Sequence, residues 1–240
     1  MAIGDNLISF WELESDGIDS KGTDTLTVVG SPTFPAGAVG NGVSLNGSSQ
    51  YLHHASDSSL QLGGTACSIA FWLKAGATGA YQYMVGKWDE GGSTLEYLVY
   101  IGIDNFIKFL VSPDGSATGL GNVTGADATI TSGFWYFIAA TYDLSTLKIS
   151  VNDGTVYSTS YAGGIFNGSV DFALGAGYVS GVPTFYTTGI LDQVGLWKRV
   201  LSAGDITWLY NAGAGRSYAD LGISASGTTI EVQTAVTNVP

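Results

Sequence analysis

Apolar runs in this chain are short, and nearly every one is closed by residues that favour a turn. That punctuation constrains the fold more than any other feature of the sequence. Ser68–Leu73, Leu95–Ile101, Phe106–Val111 and Trp135–Tyr142 are the clearest runs, each with Gly, Asp, Ser or Pro close behind. Apolar runs of roughly 4–8 residues bounded by turn signals read as strands, because a buried helix needs about ten residues or more. The uncharged stretch Phe172–Leu191 has Pro183 and several glycines inside it, which excludes a membrane-spanning helix. With 35 Gly, 6 Trp, 13 Tyr and 10 Phe in 240 residues, the chain reads as all-β with many tight turns.

Further strands are expected at Leu7–Leu13, Gly42–Asn46, Tyr81–Trp88, Val170–Leu174 and Ile190–Trp197. Leu147, Ile149 and Val151 alternate with Lys148, Ser150 and Asn152, so one face is buried and the other wet. Asp153-Gly154 follows, a pair suited to the positive φ of a two-residue hairpin turn, and Thr155–Tyr157 returns. Trp135–Tyr142 is apolar on both faces and belongs in the middle of a covered sheet. One helix is expected. Ser202-Ala-Gly-Asp205 is a capping box, Ile206, Leu209 and Tyr210 follow at helical spacing, and Gly213 supplies the stop. Many strands and one short helix predict a two-sheet sandwich. Residues 1–221 read as one domain without a linker or internal repeat. Residues 222–240 are Thr/Ser/Val-rich, with an alternating run at Thr229–Val232, and read as an appended strand and tail that could anchor to a neighbouring sheet edge.

The charge balance excludes whole classes of partner. Eight Lys and Arg stand against 20 Asp and Glu, a formal net charge of −12. Nucleic acid requires clustered cations, and an anionic membrane repels such a surface. The single cysteine, Cys67, can form neither an intramolecular disulfide nor a zinc cluster and reads as a small core residue. No basic and apolar export signal follows Met1, so the Asn-x-Ser/Thr triplets at Asn46, Asn122 and Asn167 read as chance occurrences.

Several blocks, in order, resemble the laminin-G-like jelly roll of the concanavalin A-like lectin/glucanase superfamily. They are Leu7-Ile-Ser-Phe-Trp-Glu-Leu-Glu14 with Asp19-Ser-Lys-Gly22, then Gly37–Gly47 with Tyr51-Leu52, then Phe71-Trp-Leu-Lys74. Trp135–Asp143, Gly189-Ile-Leu-Asp-Gln-Val194, Trp197–Ser202 and Leu209-Tyr-Asn-Ala-Gly213 complete the set, which runs over residues 5–221. The resemblance implies two antiparallel sheets of six or seven strands, one of them concave.

Enzymes share that fold, and glycoside hydrolysis usually requires two carboxylates flanking the scissile bond. The resembled laminarinase-type enzymes carry Glu-x-Asp-x-(x)-Glu on one strand, and no such triple occurs here. Glu12 and Glu14 have a spacing of two but lie in the opening strand, where the family has no catalytic residues; Asp89, Glu90 and Glu96 read as loop residues at the wrong spacing. Neither a Gly-x-Ser-x-Gly elbow nor a His-Glu-x-x-His motif is present. His53 and His54 are adjacent, so in a strand they point to opposite faces. The protein is therefore expected not to be an enzyme.

Ca²⁺ takes six to eight oxygen ligands, and Asp16, Asp19, Ser20 and Asp24 crowd one loop. The resemblance implies that this loop packs near the late strand, naming Asp19, Asp24 and Asp192 as ligands of a structural calcium. Gln193 stands where relatives often carry Glu. Candidate sugar-stacking aromatics are Tyr81, Tyr83, Trp88, Tyr178, Phe185 and Tyr186, the last three among glycines and Pro183 between strands; Trp88, Tyr178 and Tyr186 are the carbohydrate-binding choices.

A fold typical of extracellular proteins, without an export signal, suggests a bacteriophage virion component such as a capsid decoration or a tail-associated module. It would be made in the host cytoplasm, self-associate or contact other virion subunits, and touch host glycans. A free bacterial carbohydrate-binding module or lectin acting outside the cell is the alternative expectation, and a divergent glycoside hydrolase a weaker third.

Overall fold

The computed structural model describes residues 1–223. In chain order the strands are β1 (Leu7–Trp11), β2 (Thr27–Val29), β3 (Val43–Asn46), β4 (Tyr51–His54), β5 (Cys67–Ala75), β6 (Gln82–Lys87), β7 (Asp89–Glu90), β8 (Tyr97–Ile101) and β9 (Phe106–Val111). They continue with β10 (Gly121–Thr129), β11 (Trp135–Tyr142), β12 (Thr146–Val151), β13 (Tyr157–Ser160), β14 (Phe172–Leu174), β15 (Gly177–Val179), β16 (Val182–Thr184) and β17 (Thr188–Trp197). Helix α1 (Ala203–Tyr210) and two 3-10 turns follow. The anchor expected of residues 222–240 lies, from residue 224 onward, outside the described residues.

Two antiparallel seven-stranded sheets face each other. The first runs β1-β17-β5-β11-β12-β13, with β3 also paired to β17, and the second runs β10-β9-β8-β6-β14-β4-β2. Period-two alternation sends one side of every strand into the space between them. Trp11, Phe71, Tyr97, Phe109, Ile138 and Phe172 meet there in one core cluster. Cys67 belongs to it, and burial pushes its thiol up to about 12, so it stays protonated and inert.

β11 lies between β5 and β12, as its two apolar faces predict. Ile138, Ala140 and Tyr142 enter the core between the sheets, while Phe137 and Ala139 join a second cluster outside the first sheet. That outer cluster is covered by α1, through Ile206 and Leu209 packed with Phe10, Trp72 and Trp197. The capping box forms as expected, but the stop differs. Asn211 takes the left-handed conformation at φ 50°, two residues before Gly213. The hairpin turn shifts too: Asn152 and Asp153, both at φ 53°, occupy its centre, and the Gly154 N–H donates to the Val151 carbonyl. Asn is one of the few residues that tolerate the left-handed region, and here the Asn152 amide oxygen accepts from the Phe137 N–H of β11 at 2.8 Å.

The two outer faces differ. Among the described residues no helix covers the second sheet. A small ribbon, β16-β15-β7, packs beside β6 and is built from two segments that read from sequence as loops.

Candidate functional site

Alternation builds the uncovered face. On β8, Tyr97, Val99 and Ile101 enter the core, which leaves Leu98 and Tyr100 outside; on β9, Ile107, Phe109 and Val111 point inward and Leu110 outward. Tyr83 comes from β6 and Phe185 from the segment after β16. Tyr83 stacks on Phe185 at 4.5 Å between ring centroids and meets Tyr100 edge-on at 5.6 Å. Tyr81, 44% exposed, lies 6.2 Å from both Tyr100 and Phe185. Such tilted and offset pairs are the favoured aromatic geometries.

Backbone and carboxylate fix this cluster. Phe185 has φ 54°, and its carbonyl accepts from the Tyr83 N–H at 2.9 Å. The Tyr83 hydroxyl donates to Glu90 Oε1. Burial first, and then the Glu90 carboxylate beside it, hold the Tyr83 phenol far above its usual range, and burial takes Tyr100 to about 12. Both therefore remain neutral hydroxyls at physiological pH.

The rings wall two adjoining grooves. One, of about 290 Å³, is lined by Tyr81, Tyr83, Tyr100 and Phe185; the other, of about 460 Å³, by Ser93, Leu95, Ser116 and Leu120. Trp88, Glu90 and Leu110 line both, so the grooves lie side by side. Apolar walls with a few fixed polar groups are the usual make-up of small-molecule sites.

The ribbon divides this region. β15 pairs with β7 in parallel, Tyr178 beside Asp89 and Val179 beside Glu90. Side chains alternate along a strand, so Asp89 and Tyr178 share one side and Glu90 faces the other. Glu90 lines the aromatic grooves, while Asp89 and Tyr178 line a separate pocket of about 320 Å³ with Thr94, Ser169 and Asp171. Asp171 sits 3.0 Å from His53 Nδ1, and Tyr186, half-buried, meets Tyr51 edge-on at 6.0 Å.

A sequence profile of the concanavalin A-like lectin/glucanases superfamily matches residues 46–207. The chain belongs to that superfamily. No curated protein matches it in sequence. Among solved structures, the binding domain of Paraclostridial Mosquitocidal Protein 1 is similar at TM-score 0.69 and 16% identity, over 88% of this chain and 53% of that one. The binding domain of Botulinum Neurotoxin DC in complex with SialylT gives TM-score 0.69 and 14% identity, over 88% and 52%. Domain 4 of AbnA, a GH43 extracellular arabinanase from Geobacillus stearothermophilus, in complex with arabinotriose, gives TM-score 0.61 and 16% identity, over 88% and 98%. This chain thus spans about half the length of the toxin binding domains. At these identities the likeness is one of fold.

Within this superfamily member, the three aromatic residues chosen from sequence surround the ribbon without forming one platform. Trp88, 3% exposed, is the buried wall between the two grooves. Tyr178, 7% exposed, presents no open ring face. Tyr186 packs on Tyr51. Tyr100, Glu90 and Leu110 are site residues that sequence reasoning passed over. The signal for Tyr100 was the alternation of β8, and for Glu90 its neighbour Asp89, which must point the other way.

The three acids proposed for calcium do not form one ligand set. Among the described residues no group of three or more His, Cys, Asp or Glu is placed to hold a metal ion. Asp19 accepts from the Phe10, Lys21 and Asp24 N–H groups, and Asp24 from the Ser9 and Ser59 hydroxyls. Asp192 accepts from Ala38 and Val39 N–H at 2.8 and 2.9 Å, in a different turn. Protein donors thus engage both oxygens of Asp19 and Asp24 and Oδ2 of Asp192. Glu12 and Glu14 are likewise braces: Glu12 binds Ser20 and the Tyr218 N–H, and Glu14 the Asn41 N–H.

Proposed function

We propose that this protein is a non-enzymatic, lectin-like module that binds glycan along the open outer face of its second sheet. The observation that carries the reading is the asymmetry of the sandwich: α1 covers one outer face, and the other presents an aromatic groove with fixed hydroxyl and carboxylate groups. Ring faces suit the C–H face of a sugar, and Glu90 and Tyr100 suit its hydroxyls. Asp89 and Glu90 point to opposite sides of β7, so they are not a facing catalytic pair. Neighbours of the same fold were solved with SialylT and with arabinotriose, which supports a glycan as the ligand class.

The test is a glycan array followed by titration calorimetry. Tyr81→Ala and Phe185→Ala are expected to weaken the best ligand by roughly tenfold or more, about 1.4 kcal/mol. An array on which the intact chain binds nothing would refute the reading. The setting on a bacteriophage particle remains a separate proposal resting on sequence alone, and mass spectrometry of purified particles tests it.

A further inference from the structure

Asp89 and Tyr178 share a feature that the aromatic grooves do not explain. Asp89 is 8% exposed and Tyr178 7% exposed, and both line the 320 Å³ pocket. Asp89 Oδ2 accepts from the Gly181 N–H at 2.9 Å, but Asp89 Oδ1 is buried with no hydrogen-bond partner. The Tyr178 hydroxyl is also buried and without a partner. The β15–β7 register places both on one side of the ribbon. One unpaired acceptor and one unpaired donor thus line the same pocket, where buried polar groups are normally paired.

The pocket is shaped around a missing side chain. A Cβ at Gly92 would come within 2.9 Å of Asp89 Oδ2 and 3.1 Å of Thr94 Oγ1. Gly92, Ser169 and Gly181 are exposed and form the mouth, and Thr94 and Ser169 add hydroxyls to the lining. The volume is at the small end of ligand pockets, roughly 300–1,000 Å³.

A ligand fitting this pair must offer a proton to Asp89 and a lone pair to Tyr178. A hydroxyl offers either, and two hydroxyls of one sugar residue offer both at once. A carboxylate or sulfate has no proton for Asp89 and meets like charge from Asp89 and Asp171, in a chain of net charge −12. A cation would satisfy Asp89 and leave the Tyr178 proton unmatched. We propose that this pocket, as part of the glycan-binding reading above on which it rests, takes one neutral sugar residue. Asp89 accepts from one hydroxyl of that sugar and Tyr178 donates to another, which selects neutral over acidic glycans.

The experiment uses the full chain in calorimetric titration and thermal melting. The probes are methyl glycosides of neutral hexoses and pentoses, arabinotriose, methyl glucuronide, sialyllactose, and CaCl2 alone. Neutral probes are expected to bind, and the acidic ones at least about tenfold more weakly. Tyr178→Phe and Gly92→Ala should each weaken the neutral probe by about tenfold or more. Tyr178→Phe should not lower the melting temperature, because the hydroxyl it removes bonds to nothing in the protein. If both variants bind like the parent while Tyr81→Ala loses binding, the sugar occupies the aromatic groove alone; the pocket assignment falls and the glycan reading stands. Stabilisation by CaCl2 alone that Asp89→Asn abolishes would make this a cation site and overturn the proposal. If the parent binds no sugar at all, both readings fall together.

Discussion

Lys87 and Glu96 form a buried ion pair beside the site. Lys87 Nζ lies 3.2 Å from Glu96 Oε1, both side chains are fully buried, and the ammonium also donates to Ser56 Oγ at 2.8 Å. β6 ends at Lys87, so the chain leaves the sheet there to form the wall at Trp88 and the ribbon strand β7. Burying two charges is costly, and removing only one leaves the other without compensation, at about 3–5 kcal/mol. Burial raises the Glu96 carboxyl to about 7 against the opposing pull of Lys87, so it is charged at pH 8. Lys87→Met is therefore expected to cost about 3–5 kcal/mol in urea unfolding at pH 8. The double variant Lys87→Met/Glu96→Leu should recover most of that loss. A single variant as stable as the parent would show that the pair does not hold this corner. From sequence, Glu96 reads as a loop acid, because nothing local to it reveals a lysine that only the β6–β8 pairing brings close.

Helix α1 carries the argument to the scale of elements. The Ser202 hydroxyl accepts from the Asp205 N–H at 3.1 Å, the Ser202 N–H donates to Asp205 Oδ2 at 2.9 Å, and Arg199 Nη1 donates to the same oxygen at 2.8 Å. Ser202→Ala is expected to cost about 1 kcal/mol and to lower the melting temperature by roughly 2–4 °C. Sugar affinity should not change, since α1 covers the first sheet and the grooves lie on the second; a calorimetric titration showing weakened binding would place the site elsewhere. This helix was legible because its signals are local: a cap, a period and a stop. β9 and β11 were legible to the residue for the same reason. β10 was not, because Gly121-Asn-Val-Thr-Gly-Ala126 has little apolar content and is held by pairing to β9. β7, β15 and β16 are two or three residues each, too short to show alternation; β16 only folds back on β15, and β7 exists through pairing to β15 about ninety residues away. The site inherits that difficulty. Its aromatic residues were visible, but which of them face outward depends on which sheet α1 leaves bare.

At the scale of the molecule, the acidic balance meets two carboxyls that the fold keeps out of water. Burial raises Asp192 to about 7 despite the N–H groups of Val39 and Ala38, with Glu14 adding to the rise, and its Oδ1 is buried without a partner. Glu96 is raised to about 7 as well, also by burial. A carboxyl whose folded pKa lies above its unfolded value holds its proton more tightly when folded. Its contribution to stability is full below the unfolded pKa of about 4 and is lost as pH rises through about 7. Turn-capping acids act in the opposite sense. Asp57, Asp114, Asp143 and Asp220 accept from neighbouring Ser or Thr groups, Asp104 pairs with Lys108 and Asp205 with Arg199, and all six are lowered. Their stabilisation is present above about pH 4 and is lost in stronger acid. Relief of repulsion in a chain of net charge −12 favours mildly acidic pH as well. The two sets together place the optimum near pH 5, so the melting temperature is expected to be at least about 3 °C higher at pH 5 than at pH 8. Asp192→Asn keeps an acceptor for Ala38 and Val39, and Glu96→Gln keeps the shape of the buried side chain; each should shrink the difference between pH 5 and pH 8. A melting temperature that climbs steadily from pH 5 to pH 8 in the parent would mean that both carboxyls ionise near their ordinary values. The carboxylate at the β17 bulge would then be stabilised by groups other than the two turn N–H donors that hold it here.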